Sequence, residues 1–218
     1  MILINLEKNI LDIKAQIGDN VKLVVVTKTI EDDIVSKLTL FGVKDIGENK
    51  VDQLLGRKNL YGDIYNYHMI GRLQTNKVKY LINWVNLIHS LDRLSLAKEL
   101  EKQGAKHNFI FNCLIQLNIS KEDSKTGIYL EDLDDFIEQI KDFKFINVRG
   151  FMTMAPFDVT DDILNDVFSK AKKTFDKYRQ MGYNNFNIEY LSMGMSQDYK
   201  TAIENGSNMI RIGTKLFK

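Results

Sequence analysis

The sequence predicts one α/β domain over residues 1–218, a closed barrel of eight parallel strands with helices around it. Three observations predict it. Eight short apolar runs rich in β-branched and aromatic residues recur along the chain, and helical patterns fall between them. No linker interrupts the series, since Pro156 is the one proline and no Gly/Ser-rich stretch occurs. Strict alternation argues for a parallel sheet, and eight repeats argue for closure into a (β/α)8 TIM barrel. A length of 218 residues suits such a barrel as one domain. An open doubly wound sheet is the alternative. It is disfavoured because no GxGxxG follows the first strand and no GxxxxGK[ST] appears anywhere.

The first element is an amphipathic helix, with Leu3, Leu6, Ile10, Ile13 and Ile17 on one face and Gly18 as its stop. Lys22–Val26 then reads as a buried parallel strand. Later strand runs fall at 43–46, 64–70, 85–88, 109–117, 145–152, 187–191 and 208–212. Helical stretches are expected at 31–41, closed by Gly42, and at 49–58, 76–83, 92–103, 130–141, 162–181 and 197–205. The helix at 162–181 shows Ile163, Val167, Ala171, Phe175 and Tyr178 on one face. Six residues follow the last strand, too few for an eighth outer helix, so the N-terminal helix is expected to cover that gap.

Composition narrows the function classes. Lys+Arg is 30 and Asp+Glu is 29, so no charge surplus points to nucleic acid or an anionic membrane. No apolar run reaches the length of a membrane span, and Glu7, Lys8 and Asp12 break the pattern that a secretory signal needs. The expected location is the cytoplasm. Cys113 is the one cysteine and lies in an apolar run, so it reads as a core residue. Two N-x-S sequons, at Asn118 and Asn205, are then chance matches.

In a barrel of this kind, chemistry gathers where strands end. Thr27-Lys28-Thr29 follows the first strand, Gly47-Glu48-Asn49-Lys50 the second, and Gly71–Lys77 the third. The polar stretches Asn118–Gly127 and Phe157–Asp162 also follow strands. Phosphate sites often form from the loops after strands seven and eight. Here those loops offer Ser192, Gly194, Ser196, Gly213 and Thr214, whose N–H groups and hydroxyls suit an anion. Ser196 also opens a helical stretch, where it serves either an anion or as a plain N-cap. Lys28 alone reads as a surface lysine snorkelling from a strand end, or as an amine able to form an imine with an aldehyde. Arg211 interrupts an apolar strand, and pairs either with a carboxylate or with a ligand's ring nitrogen.

Other residues carry weaker signals. His68, His89 and His107 lack ligand spacing, and one cysteine cannot complete a zinc site, so no metal is expected. His68 is placed for a polar contact near the loop face, and His107 is expected in solvent. Segment 71–79 holds three cations, which suits an anion-binding surface or a solvated helix start.

Taken together, VVVTKT (24–29), IGENK (46–50), HMIGRLQTNK (68–77), HSLDR (89–93), IQLNIS (115–120), SKTGI (124–128), RGFMTMA (149–155), LSMGMSQD (191–198) and NMIRIGT (208–214) resemble the pyridoxal phosphate homeostasis protein family. The resemblance runs from about residue 20 to the end, with the motifs in order. It implies the barrel of the alanine racemase N-terminal domain, with pyridoxal 5′-phosphate (PLP) as cofactor. It further implies that Lys28 holds PLP as a Schiff base, that Ser192, Ser196, Gly213 and Thr214 hold the phosphate, that Arg211 faces the pyridine nitrogen, and that Asn49 lies beside the cofactor. Gln197 and Arg72 depart from residues common in the family. No catalytic residue is implied.

Alanine racemases add a β-rich C-terminal domain whose partner subunit supplies a second acid/base, and racemisation by two bases needs groups on both faces of the cofactor. This sequence ends at Lys218, straight after the last strand. The expected function is therefore PLP binding in vitamin B6 homeostasis without turnover. A minimal PLP-dependent amino-acid racemase is the alternative, and an enzyme acting on a phosphorylated sugar or nucleotide is a third reading. PLP is the expected partner, PLP-dependent apo-enzymes are the candidate recipients, and a monomer is expected over a dimer.

Overall fold

A computed structural model describes residues 2–122 and 125–217, with backbone alone at 2–4. Strands β1 (Lys22–Val26), β2 (Asp45–Glu48), β3 (Asn66–Met69), β4 (Leu87–Leu91), β5 (Phe111–Leu117), β6 (Ile146–Thr153), β7 (Phe186–Ser192) and β8 (Met209–Ile212) form one closed parallel barrel in sequence order. Closure is made by β8 against β1, where Val24 lies opposite Arg211 and Val25 opposite Ile212. The helices are α1 (Ile2–Ile17), α2 (Asp32–Val35), α3 (Val51–Tyr61), α4 (Leu94–His107), α5 (Leu133–Ile140), α6 (Asp161–Arg179) and α7 (Tyr199–Glu204). The expected closed (β/α)8 architecture is therefore present.

The strands bury both faces, as parallel strands under helices do. Outward residues such as Ile46, Tyr67, Met69 and Ile88 pack with the helices in the main core. Inside the barrel a separate apolar cluster holds Val24, Leu87, Leu114, Met152 and Met209, with Met154 and Tyr190 against it. The remaining interior is polar: Asp45, His68, His89, Ser192 and Arg211 are all buried. Such barrels are usually filled by branched apolar side chains, so this polar content is a departure that runs through the interior.

Helix α1 takes the position left open beside β8. Leu6, Ile10, Ile13 and Ile17 are buried, while the side chain of Leu3 lies outside the described residues. Asn9 donates to the Leu216 carbonyl (3.1 Å), Gln16 accepts from the Tyr199 hydroxyl (2.6 Å), and Lys14 donates to the Phe41 and Gly42 carbonyls (2.8 Å each). These contacts tie α1 to both neighbours of the gap.

Several boundaries differ from the sequence expectation. The stretch at 31–41 divides into α2 and a 3₁₀ turn at Leu38–Phe41, closed by Gly42 at φ 67°. The stretch at 76–83 is a 3₁₀ helix, Thr75–Tyr80. Strand β2 begins two residues later than expected and includes Gly47, where a Cβ would stand 3.1 Å from both Val24 and Ile70 side chains. On α6, Ile163 is 44% exposed, and Phe168 and Thr174 join Val167, Ala171, Phe175 and Tyr178 on the buried face. Cys113 is fully buried, and burial pushes its thiol up, as a core residue requires. His107 is exposed as expected. No helix among the described residues is long and apolar enough to cross a membrane.

Candidate functional site

The C-terminal rim of the barrel gathers the candidate residues. Lys28 sits in the turn straight after β1, exposed, with no ion pair among the described residues. Its turn is held from behind. Arg57 of α3 donates to the carbonyls of Thr27 (3.0 Å) and Ile30 (2.5 Å), and Gln53 donates to the Lys28 carbonyl (3.4 Å). Arg57 also pairs with Asp32 and donates to Glu48 Oε1 (3.2 Å), which accepts from the Thr27 hydroxyl as well (2.7 Å). Glu48 is fully buried at the end of β2, with Arg57 as its salt-bridge partner. The strand-end lysine thus stands on a turn fixed by a buried carboxylate and a guanidinium.

Asn49 follows Glu48 on the same rim and is exposed. Its backbone is packed against Gly71 in the loop after β3. A Cβ on Gly71 would lie 2.3 Å from the Asn49 carbonyl oxygen, so only glycine allows the two loops to approach this closely.

The loops after β7 and β8 meet each other. Lys215 N donates to Ser196 Oγ (3.3 Å), and Arg211 N donates to the Gly194 carbonyl (3.0 Å). Gly194 adopts φ +95°, and a Cβ there would press within 2.7 Å of Ala202. Gly213 lies against Val26, whose Cβ would be 3.2 Å from an added side-chain carbon. That contact sets the β8 loop beside the β1 turn carrying Lys28. Ser196 is half-buried and Thr214 exposed. Ser196 does not cap the following helix: α7 begins at Tyr199, its N-cap position is Asp198, and the Asp198 carboxylate accepts from Met195 N (2.6 Å). A six-residue helix also carries little macrodipole.

Ser192 and Arg211 point into the barrel. Arg211 Nη1 donates to Ser192 Oγ (2.6 Å), Arg211 Nη2 donates to the Thr153 carbonyl (3.0 Å), and His89 Nδ1 stands 3.2 Å from Ser192 Oγ. The guanidinium is 4% exposed and makes no salt bridge among the described residues. Burial pushes Arg211 down to about 10, partly offset by Asp198, which leaves it charged at neutral pH. Among the described residues, two of its five N–H donors have protein acceptors. A buried cation held only by neutral groups is costly, and its free N–H groups call for an acceptor on a ligand.

The sequence-predicted residues therefore share one end of the barrel. Ser192 joins Arg211, Ser196 joins the β8 loop, and Gly213 joins the β1 end, while Lys28, Asn49 and Thr214 are exposed on the rim, with no side-chain hydrogen bond to one another among the described residues. Sequence reasoning gave no role to Glu48, Arg57 or His89. Glu48 and His89 lie inside quoted motifs, and the signal for them was a polar residue at an inward or buried strand position. Arg57 had no signal beyond an arginine in an otherwise ordinary helix. Segment 71–79 is largely neutralised: Arg72 pairs with Asp92 (3.5 Å), Lys77 with Asp52 (2.9 Å), and Lys79 stacks on Tyr80. Ser124, in the SKTGI motif, lies outside the described residues.

Comparison with known proteins points the same way. Residues 2–218 match the family described as alanine racemase, N-terminal domain. The chain is 39% identical over 202 residues to the pyridoxal phosphate homeostasis protein of Aquifex aeolicus (strain VF5), covering 92% of this chain and 88% of that one. It is 32% identical over 209 residues to the protein of the same name from Synechocystis sp. (strain ATCC 27184 / PCC 6803 / Kazusa), covering 94% of each. Among solved structures it is similar to PipY of Synechococcus elongatus PCC7942, with TM-scores of 0.90 without PLP and 0.88 with PLP bound. Identity to PipY is 25%, over 98% of this chain and 100% of PipY. An alanine racemase of Clostridium difficile 630 shares the fold at TM-score 0.82 and 16% identity, but this chain covers 56% of it.

Proposed function

Because the chain belongs to the pyridoxal phosphate homeostasis protein family, we propose that it binds PLP at the C-terminal mouth of its barrel and serves vitamin B6 homeostasis by holding and releasing that cofactor. The single observation that carries this reading is Arg211, a buried guanidinium whose protein partners are a hydroxyl and a carbonyl. Such a group suits the ring nitrogen of a pyridine, which accepts one hydrogen bond and brings no charge of its own.

The other residues fit the cofactor in kind. Lys28 would hold it covalently through Nζ, on a turn that Arg57 and Glu48 keep in place. Ser196, Gly213 and Thr214, on two loops joined to each other, would take the phosphate with backbone N–H groups and hydroxyls. Ser192 would act through Arg211, to which its hydroxyl is already committed. Asn49 would border the ring from the β2 end. When bound, PLP supplies an electron-withdrawing ring, and a guanidinium at its nitrogen keeps that ring unprotonated and a weak electron sink.

We take residues 1–218 as one domain that acts without turnover, as a monomer, in the cytoplasm, with PLP-dependent apo-enzymes as recipients. The absorption spectrum of the purified protein before and after adding free PLP tests this reading. A visible band that appears with PLP and is lost in Lys28→Ala is expected. A protein that stays colourless with excess PLP would overturn it. Exchange of an amino acid's α-proton with solvent would overturn the absence of turnover.

A further inference from the structure

Below the rim, the polar groups inside the barrel continue to its opposite mouth. His89 Nε2 is 2.9 Å from His68 Nδ1, and His68 Nε2 is 2.9 Å from Asp45 Oδ1. With Ser192 and Arg211 this makes four successive hydrogen bonds, through side chains from β2, β3, β4, β7 and β8. The near end is dry, with His89 and Ser192 fully buried. The far end is wet. Asp45 and His68 line an open cavity of about 170 Å³ together with Lys22, Asn66, Arg149 and Tyr190.

The two ends fix the direction of every bond between them. Burial opposes the charge of Asp45, but the hydrogen bond from His68, with Lys22 3.7 Å away and Asn66 donating (3.1 Å), holds its carboxyl below the usual range. An ionised carboxylate only accepts, so His68 donates from Nε2. A His68 ring with one proton then accepts at Nδ1, and His89 donates from its own Nε2. His89 Nδ1 then accepts from the Ser192 hydroxyl, whose lone pairs are left for Arg211. A guanidinium only donates, so the opposite end accommodates the same polarity. With His89 donating from Nε2 and Ser192 donating to Nδ1, a second proton on either ring would set two donors against each other at one of these contacts. Burial, His68 and Arg211 push His89 well below its ordinary range, which keeps that ring neutral.

We propose that Ser192, His89, His68 and Asp45 are positioning residues for Arg211: they form a hydrogen-bond relay of one polarity that fixes both imidazole tautomers and aims the guanidinium at the cofactor ring. The tautomers follow from the protein alone, whereas the aiming of Arg211 rests on the PLP reading. The groups facing the relay are Lys22 on β1, Asn66 on β3, Arg149 on β6, Tyr190 on β7 and Asp198 before α7. None of them supplies a competing acceptor to His89.

Nitrogen-15 NMR of the cofactor-free protein with labelled histidine tests the relay. Both rings are expected as the Nε2–H tautomer at neutral pH. Asp45→Ala should let the His68 tautomers mix, and Asp45→Asn, whose amide oxygen can still accept, should restore them. A wild-type His89 that carries its proton on Nδ1, or carries two protons, would overturn the relay even if no variant folds. In the PLP arm, Ser192→Ala and Asp45→Ala should weaken PLP binding roughly tenfold, the scale of one lost hydrogen bond to a charged group. They should also move the pH profile of the bound-cofactor absorbance while borohydride still labels Lys28. Unchanged affinity and pH profile would overturn the positioning role and leave PLP binding intact. A wild-type protein that takes up no PLP would overturn the cofactor reading, and the NMR result would still decide the tautomers.

Discussion

Burial of His89 makes folding stability depend on pH in a defined window. The ring is fully buried, and burial first, then His68 and Arg211, push its pKa well below the model-peptide value of 6.5. In the unfolded chain the same ring takes up a proton as pH falls through about 6.5. The folded protein refuses that proton. Stability is therefore full above the unfolded value and is lost as pH falls toward the folded one. For one proton the slope is up to about 1.4 kcal/mol per pH unit, so between pH 6.5 and 5.0 the loss reaches about 2 kcal/mol. Asp45 acts in the same direction, but its window opens below its ordinary value of 3.8, outside this range. Urea unfolding at a series of pH values between 7.5 and 5.0 measures the slope. His89→Gln supplies an amide donor and acceptor that do not titrate, and should flatten the curve. Equal slopes in the wild type and His89→Gln would refute the argument that His89 is held neutral by its surroundings.

Three further outcomes follow from single contacts. Arg57→Met removes the cation that pairs with Oε1 of fully buried Glu48, whose Oε2 already lacks a hydrogen-bond partner among the described residues; a loss of about 3–5 kcal/mol in denaturant unfolding is expected, with weaker PLP uptake because the Lys28 turn loses its clamp. Gly150 adopts φ +142°, and a Cβ there would stand 1.8 Å from the Tyr190 carbonyl oxygen on β7; Gly150→Ala should cost more than about 3 kcal/mol, read as a lowered melting temperature or failure to fold. Cys113 should resist a thiol reagent in the native protein and react fully once unfolded, because the thiol is buried and burial pushes it up.

Period and spacing made most of the barrel legible. Runs such as Lys22–Val26 are strands because β-branched residues buried on both faces suit a parallel sheet. Their edges were less legible where polar residues face inward. The strand run at 85–88 is displaced: β4 spans Leu87–Leu91, and the barrel interior supplies hydrogen-bond partners for His89 within it. The helix expected at 76–83 is a 3₁₀ turn because Lys77 and Tyr80 take partners outside it or along it, a tertiary effect that no local periodicity carries. Ile163 fits the apolar stripe of α6 but falls in its first turn, beyond the reach of the strands beneath.

At the site, loop chemistry was legible and the connections between loops were not. Lys28, Arg211 and the small residues after β7 and β8 stood out as unusual residues at strand ends. The hydroxyls were the ambiguous part: Ser192 and Ser196 read alike in sequence, yet one turns inward to Arg211 and the other joins Lys215 on the rim. The inward alternation of β7 decides this, and it depends on a register that only closure of the barrel fixes. The relay from Asp45 to Arg211 was invisible for the same reason, because its members are far apart in sequence and meet only across the barrel.

Lys28 is the residue on which the account turns, and its covalent chemistry can be read directly. The protein is incubated with PLP, reduced with borohydride, digested, and the peptides are mapped by mass. The account predicts one reduced pyridoxyl adduct, on Lys28, while the surface lysines of segment 71–79 remain unlabelled. An adduct on another lysine, or none above the level of a non-binding control protein, would contradict it.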